Sequence, residues 1–187
     1  MFLAYTPEAN QLLADDPMAL LIGMLLDQQI PMEKAFTSPW ELRVRLGGSL
    51  DASTIAEHDP AAFEELFRTP PALHRFPAAM AKRVQELGRI IVERYGGDAA
   101  AVWAGAASGD ELVARVGGLP GFGAQKAKIF VALLAKQYGV APPGWREAAG
   151  TYGDDGSFRS VADVIDDASL RKVRAYKQEM KAAAKAK

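Results

Sequence analysis

Two short stretches hold side chains and backbone that could do chemistry. The first is Asp27-Gln28-Gln29, polar residues that close the apolar run MALLIGMLL (18–26) just before Pro31. The second is GGLPGFGAQKAKIF (117–130), which sets glycines at 117, 118, 121 and 123 around Pro120 and then begins a helix bearing lysines. Glycine costs backbone entropy on folding, so this density needs a reason. One reason is a tight turn between two antiparallel helices. Another gives each residue a task. Gly121 and Gly123 let the main chain approach another molecule with no Cβ in the way, and Pro120 removes a donor and fixes the turn. The N–H groups that follow lie at the positive end of a helix predicted over 124–138, an anion site made from main chain. Lys126 and Lys128 add charge in its first turns. No strand precedes the glycines, so a dinucleotide cofactor is not expected.

The composition removes other chemistries. The chain of 187 residues has no cysteine, which excludes disulfides, thiolate metal sites and iron–sulfur clusters. Its histidines, His58 and His74, stand in no cluster with ligand spacing, and each reads as a surface or satisfied residue. No metal and no organic cofactor is expected. MFLAYTPEAN (1–10) lacks a charged leader followed by an apolar run, so it does not read as a signal peptide. The run 18–26 is far short of the roughly 20 residues that a membrane span needs. A cytoplasmic protein is expected.

These residues must be held by helices. Apolar residues make up 49% of the chain, charged residues 24%, and no useful stretch alternates with period two, which gives an all-α fold. The pattern predicts helices over 7–15, with Thr6 as N-cap and Pro7 at N1, and over 17–30, apolar on every face and so buried. A broken helix follows over 32–46, restarted at Pro39. Short helices fit 53–57 and 60–68, then a turn region over 68–77 and a strong helix over 78–95. Further short helices fit 98–104 and 109–116, the latter with Ser108 as N-cap and Glu111 as its capping-box partner. APPGW (141–145) breaks the chain, 150–157 is a loop, and a basic helix runs from about 168.

The net charge of −1 advertises no polyanion partner, but its distribution is uneven. Residues 51–66 carry Asp51, Glu57, Asp59, Glu64 and Glu65 with no Lys or Arg. The stretch 170–187 carries Arg171, Lys172, Arg174, Lys177, Lys181, Lys185 and Lys187 against Glu179 alone. Such a stretch is either a solvated helix face or a phosphate-attracting one.

LPGFGAQKA (119–127) resembles the hairpin of the helix-hairpin-helix base-excision glycosylases, the superfamily of endonuclease III, the adenine-mismatch glycosylase and the alkyladenine glycosylases. Phe122 stands in the variable apolar slot of that family's Leu-Pro-Gly-Val/Ile-Gly pattern. LLIGMLLDQQIPMEKAF (20–36) is similar to the family's early buried helix, which ends in a glutamine-containing signature before a DNA-facing loop. AKRVQELGRIIVERYGG (81–97) is similar to the helix preceding its hairpin module. The resemblance spans about 17–145.

It implies one helix-hairpin-helix unit over 1–187: two helical lobes around a central cleft, with 109–138 as the hairpin module and 1–16 joining 146–187 in a terminal lobe with a basic tail. The implied partner is double-stranded DNA with a damaged or mismatched base. Leu119, Pro120, Gly121, Gly123, Gln125, Lys126 and Lys128 would meet the backbone. Gln29, with Gln28 beside it, would fill the gap left by a nucleotide taken out of the stack, an extrusion that costs a few kcal/mol. A plain polar helix end is the alternative for both glutamines.

Two positions depart from the family. The slot of its strand-cutting lysine holds Gln125, which cannot form a Schiff base, and Lys126 is turned about 100° around the helix from it. Where the family carries its catalytic aspartate this chain reads PPGW (142–145), with no carboxylate before Glu147. Asp27 and Glu147 are the candidate replacements for stabilising a cationic sugar, Glu33 a weaker third. Trp145 would plug the lobe interface or stack on a base. The implied activity is therefore a monofunctional DNA N-glycosylase without lyase activity. A non-catalytic DNA-binding protein of the same fold and a protein-interaction module remain as alternatives. A monomer is expected, with the oligomeric state open.

Overall fold

The structure, a computed structural model, describes residues 2–185; Lys187 and the side chain of Lys185, counted above in the basic stretch, lie outside that description. Ten α-helices form among the described residues, with three short 3-10 turns and no strand. They are α1 (Pro7–Asp15), α2 (Pro17–Leu26), α3 (Met32–Arg45), α4 (Ala52–Glu57), α5 (Pro60–Arg68), α6 (Pro77–Tyr95), α7 (Gly109–Gly117), α8 (Ala124–Tyr138), α9 (Trp145–Ala149) and α10 (Asp167–Lys185). The expected all-α class is therefore observed. None of these helices is long and apolar enough to cross a membrane.

The contacts divide the chain into two compact units. One comprises Leu3–Gly105 with Gly118–Phe122; the other comprises Phe2, Ala106–Gly117 and the residues from Gly123 onward.

In the first unit, threonine and aspartate caps start α1, α2, α4 and α5. Thr6 Oγ1 accepts from Ala9 N–H at 3.2 Å, and Asp16 Oδ1 accepts from the amides of Met18 and Ala19 at 2.8 and 3.1 Å. Proline follows Thr6 and Asp16 at N1, where its missing donor is no loss. Every residue of α2 from Met18 to Leu26 is buried, so this helix is the spine of the unit. It ends at Leu26, four residues earlier than the apolar pattern suggests, because Gln29 takes a positive φ and Pro31 biases Ile30 away from the helical region. The break expected at Pro39 does not form, and α3 runs through it. The hydroxyls of Thr37 and Ser38 donate to the carbonyls of Glu33 and Lys34 at 2.7 and 2.8 Å, and residues 35–39 are buried; packing holds the helix where proline alone would break it. Of the segment 1–16, expected to join 146–187, residues 3–16 pack in the first unit instead. Leu12 and Leu13 of α1 are buried, α1 lies against α2 and α3, and Tyr5 N–H donates to Thr37 Oγ1 at 2.9 Å.

In the second unit α7 and α8 pack together and α9 covers both. Ser108 Oγ caps α7 through Glu111 N–H at 3.2 Å. The Glu111 carboxylate reaches one residue further back than the expected capping box, accepting from Ala107 N–H at 2.8 Å; that bond, with Arg115 next, holds its carboxyl below the usual range. The helix α9 has no cap signal in its sequence, and its buried Trp145 fixes it in place. Loop 150–157 is tied down by Arg146–Asp155 at 2.9 Å, Arg159–Asp154 at 2.8 Å and Lys136, whose ammonium also reaches Asp163 at 2.6 Å. Gly109 is required by contact: a Cβ there would lie 2.4 Å from the Cα of Trp145 and 2.6 Å from the carbonyl oxygen of Gly144. Gly109→Ala should therefore cost about 1–3 kcal/mol by overpacking. At roughly 2–4 °C per kcal/mol for a chain of this size, a thermal melt should fall by several degrees.

Candidate nucleic-acid interface

The site is built where the end of α2 meets the tip of the α7–α8 hairpin, and both lie in the first unit. The tip turns at Gly121, whose φ is +80°, with Phe122 N–H donating to the Leu119 carbonyl at 3.1 Å. A Cβ on Gly121 would stand 3.2 Å from Leu25 Cγ. Gly121 is thus needed for the turn and for seating it on Leu25. Leu119 and Phe122 are buried, at 4% and 3% exposure, and anchor the tip from within. The Leu119 side chain therefore cannot meet a partner. Pro120 is half-buried, while Gly121 and Gly123 are exposed.

Gly123 behaves differently. It is the N-cap of α8 with φ −70° and ψ 169°, an ordinary extended backbone, and a Cβ built there meets nothing within 4 Å. No side chain caps α8. Ala124, Gln125 and Lys128 are exposed and Lys126 is half-buried, so the first turn of α8 opens to solvent. Gln125, in the slot of the family's lysine, donates from Nε2 to the Tyr152 hydroxyl at 2.7 Å.

Leu25 links the tip to the glutamines. Its carbonyl accepts from Gln28 Nε2 at 2.9 Å, and the same amide lies 3.4 Å from Met80 Sδ. Gln28 Oε1 accepts from Arg83 at 3.3 Å. The Gln28 main-chain oxygen bonds His74 Nε2 at 2.9 Å, and His74 Nδ1 accepts from Phe76 N–H at 3.1 Å. This pair of bonds assigns the proton of the buried imidazole to Nε2, and His74 is a satisfied core histidine, as its isolation in sequence implies. Gln28 is therefore a fixed strut rather than a reader of bases. Gln29, beside it, has φ +57°, and among the described residues no other non-glycine has a positive φ. Its side chain is exposed. A left-handed residue that is not glycine costs about 1–2 kcal/mol, and such strain gathers at functional sites.

Nothing in the sequence singled out Arg75, Phe76 or Arg83 for this site. Phe76 is 41% exposed, and the guanidinium of Arg75 stands 4.8 Å from its ring centre. An exposed ring with an arginine beside it is a surface on which nucleobases stack and phosphates pair. A signal existed in the aromatic residue before Pro77 at the start of α6, but the contact that matters spans 46 residues between Gln28 and His74.

The candidate acids separate. Asp27 is half-buried at the C-terminus of α2, its N–H closing on the Gly23 carbonyl at 3.1 Å. Glu147 is exposed in the first turn of α9, in the second unit. Glu33 is half-buried in the first turn of α3. Trp145 is 8% exposed with Arg146 stacked 4.5 Å from its ring, so it plugs the core rather than offering a stacking face. Among the described residues no group of three or more His, Cys, Asp or Glu could hold a metal ion. No protein-family model matches the chain, and no curated protein matches it.

The two hairpin glycines should part on substitution. Gly121→Ala should cost about 1–2 kcal/mol through its left-handed φ, with Leu25 displaced in addition. Gly123→Ala should cost less, about 0.5–1 kcal/mol from a poorer N-cap. Urea denaturation midpoints read both. Gln29→Gly should instead stabilise the protein by about 0.5–1 kcal/mol, since the relief of about 1–2 kcal/mol of left-handed strain exceeds glycine's extra backbone entropy. An unchanged or lower midpoint for Gln29→Gly would show that the positive φ stores no strain.

Proposed function

We propose that the chain binds duplex DNA and inspects single nucleotides as a base-excision repair protein, acting as a monofunctional N-glycosylase with altered catalytic residues. The observation that carries this reading is the hairpin: a glycine-formed tip leading to a helix start that no side chain caps, solvent-open, with Lys126 and Lys128 on its first turns. Oriented amides at a helix N-terminus with cations beside them suit a phosphate. Gln29 supports the narrower reading. An exposed amide on a strained backbone, next to the clamped Gln28, is suited to entering a base stack. Phe76, with Arg75 against its ring, lies in the same unit as Gln29.

In the proposed reaction water attacks the sugar as the base departs, leaving an abasic site. Gln125 offers no amine for a sugar adduct, which agrees with hydrolysis and no strand cleavage. A second reading, DNA binding without cleavage, is favoured by one observation: the PPGW segment brings a buried tryptophan, and Glu147 just beyond it faces solvent.

The test has two parts. Duplex affinity measured by fluorescence anisotropy should fall steeply with salt as phosphate contacts release counterions; affinity that ignores salt refutes the DNA reading. Duplexes carrying uracil, hypoxanthine, alkylated purines or mismatches, treated with alkali after incubation, should then show breaks at one lesion class. Asp27→Asn should abolish those breaks with binding retained, and Glu147→Gln should leave them. Binding with no product on any duplex selects the second reading.

A further inference from the structure

The near-neutral net charge conceals a strong polarity. Seven of the chain's 22 basic residues and one of its 23 acidic residues lie in 170–187, leaving +6 there and −7 on the other 169 residues. The structure gives this stretch a shape. Helix α10 is seated by its first two turns, where Ser169, Leu170 and Val173 are buried and Lys172 stands 4.3 Å from the Phe158 ring. Asp166 secures its start, accepting from Ser169 N–H at 2.7 Å. Beyond Val173 the helix continues, and from Arg174 to Ala184 only Tyr176 is partly covered. Arg174, Lys177 and Lys181 follow each other by three and four residues, so they share one face.

We propose that α10 from Arg174 to Lys181 is a second phosphate-contacting arm for duplex nucleic acid, through Arg174, Lys177 and Lys181. This rests on the DNA-binding reading above. The argument is charge complementarity to a repeating polyanion. Duplex DNA carries one negative charge per about 1.7 Å of axis, so a row of cations on a helix finds phosphates in any register and needs no shaped partner. Two of the three are lysines, compact point charges that suit phosphate without bidentate geometry. A membrane is a poorer fit. Past Val173 the apolar strip offers Tyr176, Met180 and alanines, and none of the Trp, Phe or Leu that would bury in a lipid interface.

The experiment compares the full chain with its triple variant Arg174→Gln, Lys177→Gln, Lys181→Gln on a 20-base-pair duplex across 50–200 mM salt. All three positions are exposed and glutamine is a good helix former, so circular dichroism should be unchanged. At about 0.9 per phosphate contact, the slope of log affinity against log salt should become shallower by about 2.7, and the parent's advantage should shrink about 40-fold over that range. Equal slopes for the two proteins overturn the arm while leaving the hairpin reading intact. A parent that shows no salt-dependent binding overturns both. Equal slopes with self-association of the parent, lost in the variant by sedimentation, would assign the face to the acidic surface of a second copy. Equal slopes with parent-only binding to phosphatidylserine vesicles would assign it to lipid.

Discussion

The contact between Gly121 and Leu25 sets the geometry of the segment where the end of α2 meets the hairpin tip. Helix α2 is buried along its length from Met18 to Leu26, so Leu25 has no room to yield. The hairpin tip can sit on it only where a residue lacks a Cβ and can take φ +80°. The next carbonyl bond from the same leucine takes the Gln28 amide, and Gln28 is held in turn by Arg83 and by His74. With Gln28 clamped at its side chain and its carbonyl, and Pro31 restricting the exit, the chain must turn sharply between them. Gln29 absorbs that turn in a conformation it would not choose. The strain at Gln29 is thus a consequence of packing that begins at the spine.

Charge is arranged on a different principle. The carboxylates of α4 and α5 and their caps lie in the first unit, where Asp51 and Asp59 start helices by accepting amides. The densest cationic run lies in the second unit on α10, with Lys126 and Lys128 on α8 in the same unit. A net charge near zero therefore coexists with fields of opposite sign on different helices, and fields rather than net charge steer a polyanion within a Debye length of about 8–10 Å.

Much of this was legible locally. Thr6-Pro7, Asp16-Pro17 and Ser108 mark helix starts because a capping oxygen and a proline act on their immediate neighbours, and Gly139 ends α8 with a positive φ for the same local reason. What was not legible depends on contacts distant in sequence. The end of α2 at Leu26, the survival of α3 through Pro39 and the burial of Leu119 are each decided by tertiary packing that overrides local propensity. The roles divided between Gln28 and Gln29 could not be separated in sequence. Two adjacent identical side chains differ only in which way the backbone sends them, and that is fixed by His74 and Arg83.

The same distinction bears on the acids. A carboxylate in the first turn of a helix is stabilised by the dipole and by unpaired amides, so Glu147 in α9 and Glu33 in α3 have a structural reason to exist. Asp27 stands at the other end of a helix: its N–H closes the last turn of α2 on the Gly23 carbonyl at 3.1 Å, and its half-buried side chain precedes the clamped Gln28 and the strained Gln29. Of the three acids it alone shares the short segment on which the packing of α2, His74 and Arg83 converges, so its position is fixed by the same contacts that force the turn at Gln29.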